Sequence, residues 1–165
     1  MIKIKRFIQV KGGADSGKTT TITRYFLSIL PKAKLKSLKY LGKGDFVAVV
    51  EYKGNILAFV SRGDIKKESE NSYKTLCGLC QSEIEICVVA TRGREDAGSV
   101  EFWQEILAQN GKQKFDKEIK NKWFNICLDE AGDNQDNSVK REIAKHLEEQ
   151  SEQIAEAVEQ IIQEK

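Results

Sequence analysis

No apolar run in this chain approaches the length of a bilayer, so the sequence offers no membrane-spanning helix. The basic start, MIKIKRFIQVKGG, is too short in its apolar stretch for a signal peptide, and no small-residue cleavage site follows. A cytoplasmic protein is the expectation. Histidine is nearly absent: His146 is the only one, and it falls in a charged segment. Cysteine is scarce enough to leave a single C-x-x-C, Cys77 to Cys80, with Cys87 inside an apolar run and Cys127 apart. A zinc site would require a second such pair or further histidines, so thiols in a reducing compartment are the simpler reading. The chain also lacks internal repeats and low-complexity linkers, and its basic residues are not interleaved with aromatics, which argues against a nucleic-acid partner.

What is present is a soluble composition, 40% hydrophobic and 32% charged, over 165 residues, the size of one domain spanning 1–165 with a proper core. The net charge of +2 conceals an asymmetry. Residues 1–82 carry 16 basic against 6 acidic side chains, whereas residues 83–165 carry 11 against 19. A basic first half suits a phosphate ligand or an acidic partner, or is simply a lysine-rich solvated surface.

Hydrophobic periodicity orders the elements. IKIKRFIQVKG (2–12) reads as a strand ending on glycine, and 17–30 as a helix that Pro31 stops. Residues 32–45 read as a basic connector. DFVAVVEY and NILAFVSRGD, separated by Lys53-Gly54, form a tight hairpin. A helix over 65–81, a buried parallel strand over 83–91, a helix over 99–110 and a fifth strand over 122–129 follow, and 130–137 is a polar loop. A long helix closes the chain at 138–163, with Val139, Ile143, Leu147, Ile154, Val158 and Ile161 on one face. That stripe packs on the parent domain or serves a protein partner or homo-oligomer. The order predicts a three-layer α/β/α sandwich with a mainly parallel five-stranded sheet that includes an antiparallel hairpin strand.

One segment carries chemistry. Gly12, four residues, then Gly17-Lys18-Thr19 match G-x-x-x-x-G-K-[ST] between a strand and a helix. In such a loop (Gly12, Gly13, Ala14, Asp15, Ser16, Gly17, Lys18, Thr19, Thr20) backbone N–H groups chelate phosphate oxygens, and the helix dipole points at the same anion. The lysine reaches the β- and γ-phosphates and the Thr19 hydroxyl ligates Mg²⁺. On these residues the chain resembles the P-loop NTPase superfamily.

The resemblance implies a second acid at the end of a core strand, associated with Mg²⁺. Asp64, closing ILAFVSRGD, fits that role, and Asp129 is the competing candidate. The hairpin leading into Asp64 is similar to the kinase and GTPase branches. The alternative for Asp64 is an N-cap on the helix that follows. No [NT]-K-x-D motif is present, so ATP rather than GTP is expected.

Arg92 and Arg94 lie just past the buried strand, at the sheet edge where ligands of open α/β folds bind. They act on phosphoryl charge like the arginine-bearing lids of small kinases, or they pair with Glu95 and Asp96 on the surface. Asp15 is unusual inside an anion-binding loop. Either it tolerates a backbone angle that glycine takes in many relatives, or its carboxylate orients a water or acceptor hydroxyl. Two functions stay open: an ATPase or nucleotide-dependent switch working through a protein partner, and a small-molecule or nucleotide kinase. The compact size favours the switch.

Overall fold

The computed structural model describes residues 2–13, 16–121 and 137–164, with no side-chain detail for 137–140. Its strands are β1 (Ile4–Lys11), β2 (Lys34–Gly42), β3 (Asp45–Tyr52), β4 (Asn55–Val60), β5 (Ile84–Thr91) and β6 (Lys117–Lys120). The helices are α1 (Lys18–Ile29), α2 (Lys66–Leu79), α3 (Gly98–Gln109) and α4 (Asn137–Gln163). All six strands join one sheet in the order β2-β3-β4-β5-β1-β6. Contacts β4–β5, β5–β1 and β1–β6 are parallel, while β3 runs antiparallel to both its neighbours. Among the described residues the sheet therefore has six strands rather than the expected five, and β3 alone is reversed.

The correction has two sources. The stretch read as a connector is an edge strand: β2 alternates lysine with apolar or small side chains, and lysine disfavours strands on average while protecting exposed edges. At the other edge β6 is only four residues long, KEIK, too short for a periodicity. The strand expected at 122–129 and the loop at 130–136 lie outside the described residues.

Elsewhere the periodicities correspond to structure. The Lys53-Gly54 turn has φ of +50° and +75°, the left-handed pair that a two-residue hairpin of this twist requires. Helix α1 ends at Ile29, and Pro31 sits in a single 3₁₀ turn over Leu30–Lys32. Along β3 and β4, side chains alternate between two cores. Phe46, Ala48, Val50, Leu57 and Phe59 face α1 and α4, while Val47, Val49, Ala58 and Val60 face α2 and α3. Trp103 of α3, fully buried, makes edge-to-face contacts with Tyr73 and Phe102 in the second core. The sheet is thus covered on both faces.

Ile154, Val158 and Ile161 of α4 are buried in the first core. Their stripe is used within the domain. The helix is also held by Glu159, whose carboxylate accepts from the Tyr52 hydroxyl at 2.9 Å and the Lys53 ammonium at 2.8 Å. The Lys53 hydrogen bond, aided by that of Tyr52, holds the Glu159 carboxyl below its ordinary range. A depressed carboxylate stabilises the folded state above the unfolded pKa and ceases to do so as pH falls through the folded one. The melting temperature of Glu159→Gln is therefore expected to lie below wild type near neutrality, and the gap to close below about pH 4 in a pH series of thermal melts.

Candidate functional site

The site forms where strand polarity brings several chain segments to one sheet edge. Gly12, Asp64 and Arg92 follow the carboxyl ends of the parallel strands β1, β4 and β5. Because β3 is reversed, its first residue, Asp45, arrives at the same edge. Asn121, after β6, completes the row.

The loop starts at Gly12, whose N–H donates to Thr91 O at 3.2 Å. A Cβ on Gly12 would crowd the Ser16 hydroxyl and lie 3.0 Å from Asn121 O, so a larger residue here requires Ser16 to turn and the loop to give. The Ser16 N–H donates to Gly13 O at 3.3 Å, and Gly17, at φ +90°, is the N-cap of α1. Ala14 and Asp15, with both roles read for Asp15, lie outside the described residues. Asn121 ties the loop to β6: its amide nitrogen donates to Ser16 O at 3.3 Å and Thr21 Oγ1 at 2.9 Å. Ser16 Oγ and Asn121 Oδ1 are buried with no partner among the described residues, leaving two polar atoms for a ligand or water to satisfy.

Lys18 is the central charge. It is 6% exposed, and its ammonium donates to Gly12 O at 2.9 Å and to Asp64 Oδ1 at 2.6 Å. Burial pulls its pKa below the ordinary lysine value, and the Asp64 carboxylate opposes that shift. Asp64 also meets Arg92, whose Nε lies 3.4 Å from Oδ1 and donates to the Asp64 backbone carbonyl at 3.2 Å. Arg92 is held in turn through its own N–H, which donates to the buried Ser99 hydroxyl at 3.1 Å. Asp64 does not cap α2: Ile65 occupies the N-cap, with its N–H donating to Glu68 Oε1 at 3.3 Å.

Thr19 is placed beside a different carboxylate from the one the sequence pointed to. Its Oγ1 donates to Asp45 Oδ1 at 2.8 Å and lies 3.3 Å from Ser61 O. Ser61 Oγ donates to the same Asp45 oxygen at 3.1 Å and accepts from the Phe46 N–H at 2.8 Å. Asp45 and Ser61 were missed because an acid at the start of an antiparallel strand carries no spacing signal relative to Thr19. Thr20 is exposed on the same rim.

Asp64 divides two clefts. The larger, about 1020 Å³, is lined by Gly17, Lys18, Thr19, Lys43, Asp45 and Ser61 on one side of it. The second, about 670 Å³, is bounded by Gly13, Lys66, Arg92, Arg94 and Gly98 on the other. Arg94 lines that cleft but is 84% exposed and approaches Asp96 at 3.7 Å, so the two arginines part company: Arg92 joins Asp64, and Arg94 remains on the surface.

No family model, curated protein or solved structure matches this chain. The reading of the site rests on its own chemistry. A buried ammonium at the start of a twelve-residue helix, beside a glycine loop and an open cleft, is suited to an oxygen-rich anion. Thr19, Asp45 and Asp64 contribute hard oxygen donors, the type that Mg²⁺ prefers. No group of three or more His, Cys, Asp or Glu side chains among the described residues could hold a metal alone, so a cation here would need oxygens from the ligand. Among the described residues no helix is long and apolar enough to cross a membrane.

Proposed function

We propose that this protein binds and hydrolyses a nucleoside triphosphate, ATP by preference, with Mg²⁺, as a nucleotide-dependent switch or ATPase that acts with a protein partner in the cytoplasm. One observation carries the reading: the buried Lys18 ammonium, held between Gly12 O and Asp64 Oδ1 at the start of α1. Those two acceptors keep the charge in place, and incoming phosphate oxygens replace them as partners of the same kind. Thr19, with Asp45 and Asp64 nearby, would hold Mg²⁺, which neutralises charge on the phosphates when bound. Arg92, anchored by Ser99 and reaching Asp64, supplies a second cation toward the transferred group. The preference for ATP follows from the missing guanine-reading motif.

A phosphotransferase is the second reading, and the cleft across Asp64 favours it, since an acceptor there would face Arg92 and Lys66. Turnover separates the two: a switch hydrolyses slowly without acceptor, whereas a kinase is stimulated by one.

The test is a binding and hydrolysis panel with Mg²⁺ on wild type, Asp45→Asn and Asp64→Asn. Wild type is expected to bind ATP. Asp45→Asn should raise the Mg²⁺ concentration for half-maximal turnover about tenfold, the scale of losing one orienting carboxylate. Asp64→Asn should lower kcat by about 10² or more. If wild type bound neither ATP nor GTP, the proposal would fall.

A further inference from the structure

The edge strand β2 carries a feature that the site does not use. Leu35, Leu38 and Tyr40 pair across the sheet with Val50, Ala48 and Phe46, so they share the face that α1 and α4 cover elsewhere. Among the described residues neither helix reaches them, and they are 45%, 51% and 65% exposed. The strand is nine residues long, and among the described residues its outer edge pairs with no other strand. Lys34, Lys39 and the turn residue Lys43 have no ion pair among the described residues, and Lys36 has only a 3.6 Å approach to Glu51.

Lysines alone would be ordinary protection of an edge against self-association. Protection does not require three exposed apolar side chains on one face of the same strand, Leu38 and Tyr40 in unbroken register and Leu35 beyond a bulge at Lys36, and an apolar patch rimmed by charge marks an interaction site. A second copy is a poor occupant, because edge-to-edge pairing sets the lysines of both strands along one seam, and like charges opposed across strands repel. We propose that β2 docks an extended acidic segment of a protein partner, which adds a strand to the sheet. Its backbone pairs with the edge beyond the bulge at Lys36, its alternate apolar side chains cover Leu38 and Tyr40 and extend toward Leu35, and its carboxylates meet the lysines. Docking on β2 does not require nucleotide, yet it is linked to the site by the chain, because β2 turns through Lys43 and Gly44 directly into Asp45, which touches Thr19.

The probe is a fluorescein-labelled octapeptide alternating glutamate with valine, titrated into the full chain by fluorescence anisotropy. Saturable binding is expected, weakened at least tenfold by Leu38→Asp and by Lys39→Glu, and lost when lysine replaces glutamate in the peptide. Of two peptides N-methylated on opposite sets of alternate amides, one should lose binding, because only one set of N–H groups faces the edge. Tyr40→Ser, at a more exposed position, replaces Leu38→Asp should that variant fail to fold. Equal binding of the acidic and basic peptides, no binding of either, or indifference to the substitutions on β2 would overturn the proposal. So would a wild-type dimer in sedimentation that Leu38→Asp converts to monomer, since a second copy would then own the edge.

Discussion

Lys18→Met is expected to leave the protein folded while reducing nucleotide turnover by at least 10²- to 10³-fold, the scale on which one preorganised electrostatic contact to a transition state acts. The two halves of that result come from different physics. Lys18 is buried, and its ammonium is held at a desolvation cost that Asp64 offsets. Removing one member of a buried ion pair is usually severe because the other is stranded. Asp64, however, is 41% exposed and keeps Arg92, so water and the guanidinium take over. Methionine fills the space of the lysine stem, and Gly12 O loses one hydrogen bond worth about 1 kcal/mol. The change in stability is therefore expected within about 1 kcal/mol of zero, read by thermal or denaturant unfolding alongside kcat. A variant that unfolded would make Lys18 a structural residue. One that kept full turnover would remove it from the chemistry.

Gly63→Ala is expected to damage both stability and activity. A Cβ at Gly63 would lie 1.8 Å from the carbonyl oxygen of Ala90 and 2.7 Å from its carbon, both rigid backbone atoms of β5. Relief requires the ends of β4 and β5 to separate, which is overpacking at about 3 kcal/mol, the upper end of its usual range. The same displacement moves Asp64 and Arg92, the next residue after Gly63 and the second after Ala90. Turnover should fall more than stability alone explains, because about 1 Å of misplacement in a reacting group costs of the order of 10²-fold. Gly78→Ala is the control. Gly78 is in α2 with open space where its Cβ would go, and alanine there should add up to about 1 kcal/mol by helix propensity. If the two substitutions gave equal stabilities, the close approach of Gly63 to β5 would not exist in solution.

Much of this architecture is legible in the sequence alone. Strand, glycine loop and helix at the start, the Lys53-Gly54 hairpin, the continuous apolar run of β5 and the striped last helix all follow from local periodicity and turn chemistry. Gly12, Lys18 and Asp64 stood out as residues because a spacing or a strand end singled them out. The edge strands did not. β2 is one-third lysine because its edge faces water, and the same lysines hide its strand character from composition. β6 is too short to show a pattern at all.

The sequence by itself determined the helices, the interior strands and where one loop had to turn on glycine, since those depend on side chains only a few residues apart. Tertiary structure alone decided which side chains meet. Asp45 reaches Thr19 only because β3 is reversed, Asp64 reaches Lys18 only because β4 and β1 run parallel with β5 between them, and Asn121 reaches Ser16 only because β6 lies beside β1. Contacts across more than twenty residues are set by strand order and polarity, and neither leaves a local trace in the chain.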